Sequence, residues 1–440
     1  MNKLKVGFAR IDITPPLGSY LQGYQFLRES DGILDPLYAH ALAVSDGETT
    51  AIIISADLVG MGYQTCDTIR RGIEGKFGIP YENVFVSCTH IHTGPICTVG
   101  REGFSEKVLD TIIEKLIQMP KIALDDMKPA ELFVNAAETP IDIAFIRRFR
   151  MKDGSVKTNP GFLNPDIDHP LGEPDKRVAL AYFKRENAPE IALINFQVHP
   201  DVISGNKYSA DFPGFVRKVY EGAVENSLCM YINGPQGDTN HFNVNTPEDE
   251  LRTGYEFARH MGRTIAGVAM GLRAMAKKVE TVPVRAMQKN LEVFYNKGTP
   301  EEIEKARETY KLYKEGRVEE IWPHDDMMRT TLVGEAMRLV RTADLPDSRE
   351  LYITGIAIGD FALVGFPGEP FTDIGRETKA QSPFKMTFAS CCANGYEAYF
   401  PMDSAFDEGG YEARSTSFRR GTAEALIKSG VEVLNTLHSK

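Results

Sequence analysis

The chain has 440 residues, 42% hydrophobic and 25% charged, with 38 glycines and 25 prolines, an ordinary globular composition that excludes a fibre, a coiled coil or a disordered tail. Its formal net charge of -11, from 61 acidic against 50 basic residues, disfavours a nucleic-acid footprint and attraction to an anionic membrane surface. No run approaches the ~18 apolar residues of a membrane span, Arg10 and Asp12 interrupt any signal-peptide core, and six cysteines, including the adjacent Cys391 and Cys392, do not resemble a secreted disulfide framework; a soluble, cytoplasmic protein is expected.

In chain order, strands are expected at residues 50–55, 84–87, 191–198 and 227–232, and at 351–365 with a break at Gly359-Asp360, each bounded by Gly, Pro, Asn or Asp. Helical patterns fall between them at 64–77, 105–119, 215–226 and 253–278. Residues 154–174 read as a proline-containing loop, and 300–320 as a charged, solvated helix with Glu301 and Glu302 in its first turn and Lys311, Lys314 and Arg317 later. The expected fold is mixed α/β, with β-sheets covered by helices in a single domain over residues 1–440.

Four of these strands end in polar groups. The run Asn83 to Ser87 leads into Cys88-Thr89-His90-Ile91-His92-Thr93-Gly94-Pro95, and a period of two places Cys88, His90 and His92 on one face at the strand end. Two imidazoles at a strand end suit a metal site as well as a hydrogen-bonded surface pair. His199-Pro200 ends a second strand, Gly234-Pro235-Gln236-Gly237-Asp238-Thr239-Asn240 a third, and Pro367-Gly368-Glu369-Pro370 a fourth. The glycine-rich turn lacks the Lys and Ser/Thr of a phosphate-binding loop and is not read as a nucleotide site. Cys88 is a further metal donor on periodicity, against the commoner state of a small buried thiol.

The ordered series Val6 to Pro16, Leu21 to Tyr24, Asp35 to Ala39, Thr89 to Pro95, His199-Pro200, Ser209 to Gly214, Gly237-Asp238, Pro367-Gly368-Glu369 and Tyr411 to Thr416 resembles the N-terminal catalytic domain of the neutral/alkaline, non-lysosomal ceramidases. The resemblance implies that family's fold, with a metal site at strand ends. It also implies one Zn²⁺ per chain, held by His90, His199, Glu369 and Tyr399, with Tyr396 a possible substitute for Tyr399. Such an ion would acidify a bound water from 15.7 towards roughly 7, making it a nucleophile at neutral pH. His92 would stand beside the metal, stabilising the oxyanion or passing a proton to the leaving group. Arg148 resembles a family arginine near the substrate, with Arg147 one residue away. Asp238 would either orient a ligand histidine or cap its own turn.

Two features depart from the family. The position of a serine proposed there as a nucleophile is Asn240, followed by His241, so Asn240 would serve as a hydrogen-bond donor while water attacks. The chain also ends about 24 residues after Thr416, without the family's C-terminal immunoglobulin-like domain, which disfavours ceramide. The expected function is a zinc-dependent hydrolase of the amide bond of a small, soluble N-acylated molecule, without a nucleic-acid or membrane partner. The alternatives are an esterase acting on an acylated sugar or related metabolite, and a non-catalytic metal- or ligand-binding protein. Arg414, where the family pattern carries a small residue, would line the substrate site with Tyr411 and take an anionic group; otherwise it would pair with Glu412 or Asp407.

Overall fold

The computed structural model describes residues 4–280 and 282–439. The larger sheet runs, in spatial order, through Ser227–Asn233, Glu190–Phe196, Arg177–Arg185, Lys128–Glu138, Lys5–Asp12, Tyr38–Ser45, Thr50–Ala56 and Val84–Cys88, with Lys277–Lys278 beside Lys128–Glu138. Its middle is antiparallel and each end is a parallel pair. Parallel neighbours need a crossover, and the helices Tyr63–Phe77 and Asp211–Ala223 supply it. The inner strand of each parallel pair carries an unbroken apolar run, Ile52-Ile53-Ile54 and Ile191-Ala192-Leu193-Ile194, because both of its faces are buried.

The sheet curls until its ends meet. Ser55 Oγ donates to the Tyr231 carbonyl at 2.7 Å, and Arg217 makes a buried two-pronged ion pair with Asp57 at 2.9 and 2.6 Å. One face, carrying Val6, Leu42, Ile53, Phe85, Phe183, Leu193 and Ile232, packs on Ile356, Ile358, Phe361 and Phe388 of a smaller sheet. That sheet orders Val284–Phe294, Ser348–Ile358, Phe361–Gly365 and Met386–Ser390. Its last two strands are again parallel, joined through helix Thr372–Ala380. Helices Tyr63–Phe77, Glu106–Asp125, Asp211–Ala223 and Tyr255–Ala274 cover the other face of the larger sheet, and Thr422–Ser439 covers the smaller. The fold is mixed α/β, as expected.

Several local expectations change. Residues 154–174 carry the short strands Val156–Thr158 and Ile167–Pro170, which flank Arg148–Met151. The charged helix is Pro300–Lys314, started by a capping box between Thr299 and Glu302. It stops at Gly316, whose φ of 72° is left-handed, before a separate turn at Val318–Ile321. Among the described residues, no helix is long and apolar enough to cross a membrane.

Candidate metal centre

The loops leaving the C-terminal ends of Val84–Cys88, Glu190–Phe196 and Phe361–Gly365 converge, one from each parallel pair. Such ends are where α/β sheets leave a crevice for ligands. The first loop does not continue the strand. It turns at His90, whose φ of 69° is left-handed, while Thr89 and His90 N–H groups donate to the Ala56 and Leu58 carbonyls. The turn, rather than a period of two, brings the Nε2 atoms of His90 and His92 to 3.4 Å.

His90 Nε2 lies 3.2 Å from His199 Nε2 and 3.2 Å from Glu369 Oε2, and His199 Nε2 lies 3.4 Å from the same oxygen. Donors on a tetrahedral ion with bonds of ~2.0–2.1 Å stand about 3.3 Å apart. The proton inventory gives a second test of fit. His90 Nδ1 is 2.8 Å from the Val59 carbonyl and His199 Nδ1 is 3.3 Å from the Gln236 carbonyl. Carbonyls only accept, so both Nδ1 atoms carry the proton and both Nε2 atoms present lone pairs. Glu369 Oε2 is buried without a hydrogen-bond partner among the described residues. Three buried acceptors facing one another are satisfied by a cation, so His90, His199 and Glu369 fit a zinc-like ion. His92 completes a group of three histidines able to hold a metal. Its Nδ1 has no hydrogen-bond partner among the described residues, so nothing fixes its tautomer.

Burial disfavours charge on the rings of His92 and His199. It pushes His92 down to about 3, and His199 well below the usual range, with the Arg147 charge adding to the latter. Burial alone would raise the Glu369 carboxyl, but His90, His199 and Arg147 outweigh it and hold the group low. Tyr396 donates its hydroxyl to Glu369 Oε1 at 2.8 Å, on the oxygen opposite the histidines. Tyr399 is paired with Glu369 across two short parallel strands, and its ring centroid is 6.5 Å from that of His199.

A sequence model described as neutral/alkaline non-lysosomal ceramidase, N-terminal, matches residues 4–228. The chain belongs to this family. The neutral ceramidase of Drosophila melanogaster is 27% identical over 143 residues, 30% of this chain and 20% of that protein, so the match spans about a fifth of the relative's length. The crystal structure of neutral ceramidase from Pseudomonas aeruginosa aligns with a TM-score of 0.74 at 18% identity, covering 100% of this chain and 75% of that one. A structure described as ceramidase complexed with C2 gives 0.74 at 16% identity, covering 100% and 76%. At these identities the structural likeness speaks for the fold.

On this ceramidase framework the remaining expected site residues divide. Arg147 is the arginine whose charge acts on His199 and Glu369; it lies over the Tyr399 ring and pairs with the fully buried Glu412 at 2.7 Å. Arg148 reaches Glu408 at 3.0 Å and the Gly409 carbonyl at 2.8 Å, with Glu412 Oε2 further off at 3.8 Å. Tyr411 stacks edge-on against Tyr399, with ring centroids 5.5 Å apart. Arg414 leaves the site and pairs with Glu335 on helix Met327–Ala343, Nε to Oε2 at 3.1 Å, rather than with Glu412 or Asp407. Asp407 is taken by Arg420 at 2.8 Å. Asp238 accepts from the N–H and hydroxyl of Thr372, both at 2.8 Å, and so caps helix Thr372–Ala380 instead of orienting a histidine. Asn240 donates to Asn159 Oδ1 at 2.9 Å and accepts from Phe242 N–H at 3.0 Å. Cys88 is buried in an apolar cluster. The thiol beside the centre is Cys392, 3.5 Å from His90 Nδ1, which the sequence offered only as half of an adjacent pair.

Proposed function

We propose that this chain is a metal-dependent hydrolase that cleaves the amide bond of a small, soluble N-acylated molecule in the cytoplasm. The observation that carries this reading is the convergence of three buried lone-pair donors, His90 Nε2, His199 Nε2 and Glu369 Oε2, within 3.4 Å of one another. They would hold one zinc ion with Tyr399 as fourth donor. When bound, such an ion polarises a carbonyl and acidifies a water from 15.7 towards roughly 7.

The protein's own groups do the rest. The Val59 and Gln236 carbonyls fix the tautomers of His90 and His199, and Tyr396 turns Glu369 Oε2 towards them. His92, neutral and with its Nδ1 unpartnered, is the ring free to take the proton that the attacking water gives up and to pass it to the departing nitrogen. Asn240 has one side-chain N–H engaged by Asn159 and a second available to the developing oxyanion. Arg147, charged and locked to Glu412, holds Tyr399 in place. Arg148 supports the 408–412 segment rather than touching substrate. All six cysteines are buried free thiols, which suits a reducing compartment.

The test is hydrolysis of matched N-acyl amides and O-acyl esters before and after chelation. Metal-dependent cleavage of the amide is expected. Turnover that survives complete metal removal, or cleavage of esters alone, contradicts the reading.

A further inference from the structure

The loop after His199 holds a carboxylate that nothing in the proposed reaction uses. Asp201 is two residues beyond His199, and the carbonyl of the intervening Pro200 accepts from the His92 N–H at 3.1 Å, so the chain at Asp201 is tied to both rings. Its side chain is only 13% exposed. Among the described residues its one close polar neighbour is His241, whose Nδ1 stands 3.3 Å from Oδ1, and no donor reaches Oδ2. An ionised carboxylate this enclosed is costly unless donors satisfy it, and native structures rarely leave one without.

His241 is fixed from behind. Its ring lies on Phe242, with centroids 4.2 Å apart, and its Nε2 stands 3.3 Å from Thr253 Oγ1. The Thr253 hydroxyl donates to the Val202 carbonyl at 2.8 Å, which holds that oxygen against the ring. A buried histidine therefore stands behind Asp201 Oδ1, while the partly exposed remainder of the carboxylate has no protein donor among the described residues.

The geometry points to Asp201, backed by His241, as a subsite for a hydrogen-bond donor on the substrate, a hydroxyl or an ammonium group within a few bonds of the scissile amide. This deepens the amidase reading and rests on it for the position of the scissile bond. The acidic chain would also favour approach of the ammonium form.

The experiment compares three amides of equal size: N-acetylethanolamine, N-acetylethylenediamine and N-propylacetamide. The zinc-loaded wild type is expected to favour either donor-bearing amide over the propyl compound by ~10- to 100-fold in kcat/KM, mainly through KM, as for a hydrogen bond to a charged partner. Which donor leads separates hydroxyl from ammonium recognition. Asp201→Asn should collapse the preference at unchanged zinc content. His241→Asn should shrink it, and His241→Gln, whose longer amide reaches further towards Asp201, should restore part of it. A wild-type preference near one, or an Asp201→Asn variant that keeps the preference, overturns the assignment. If none of the three is cleaved, the amidase reading fails on these amides, and saturation-transfer NMR of the same amides on the wild type still decides the subsite. Stronger binding of the donor-bearing compounds sustains it, and equal binding refutes it.

Discussion

Replacing Tyr396 by Phe removes one hydroxyl and nothing else. In the structure that hydroxyl donates to Glu369 Oε1 at 2.8 Å, inside a site where Glu369 is 1% exposed. A hydrogen bond to a charged group contributes about 1.5–3 kcal/mol, and its loss leaves the carboxylate oxygen without a donor in a place water does not reach. The bond also sets which oxygen faces His90 and His199. Partners of this kind change metal affinity by about 10–100-fold. Tyr396→Phe should therefore fold and bind zinc about 10–100-fold more weakly in a competitive chelator titration. Tyr399→Phe, which removes the proposed fourth donor, should also weaken binding while leaving the Tyr396–Glu369 bond intact. Zinc affinity within twofold of wild type for Tyr396→Phe would refute the argument that this tyrosine aims Glu369.

Three further predictions follow from the same geometry. His90→Ala and His199→Ala should each lose the metal by elemental analysis, whereas His92→Ala should keep most of it and lower kcat by about 10²- to 10⁴-fold; equal metal loss in all three makes His92 a ligand. Burial pushes the Asp211 carboxyl up to about 7 from 3.8, so the folded chain holds a proton there that the unfolded chain releases. That stability is fully present below 3.8 and is lost as pH rises through 7, on the order of 4 kcal/mol at 1.36 kcal/mol per unit. Asp211→Asn, at a left-handed φ of 49° that Asn tolerates, should flatten the profile between pH 4 and 7 in urea unfolding; parallel profiles contradict it. Arg414→Ala breaks a partly exposed pair with Glu335, so it should change stability by under about 1 kcal/mol and treat anionic and neutral substrates alike; a selective rise in KM for the anion would return Arg414 to the site.

The parts of the site legible in the sequence are those that end apolar strands. His90, His199 and Glu369 each follow a fully buried strand, whose mostly apolar sequence suits a parallel pair. Strand Lys128–Glu138 lacks such a run because it is only partly buried, and helix Met327–Ala343 has a mixed surface and was not anticipated. Arg414 is expected at a substrate because its segment resembles one that lines the family's pocket, whereas its partner Glu335 is 79 residues away in sequence, on that helix. The choice between Arg147 and Arg148 depends on a one-residue register between two short strands, Phe145–Ile146 and Arg148–Met151, too short to carry a periodic signal. The contact of Asp201 with His241 joins two loops that no local pattern relates.

The central claim, that His90, His199 and Glu369 hold a metal ion, is tested most directly by diffraction from the zinc-loaded protein on both sides of the zinc absorption edge. The account predicts a single anomalous peak within ~2.0–2.2 Å of His90 Nε2, His199 Nε2 and Glu369 Oε2. The absence of a peak among these three atoms under saturating zinc would contradict it.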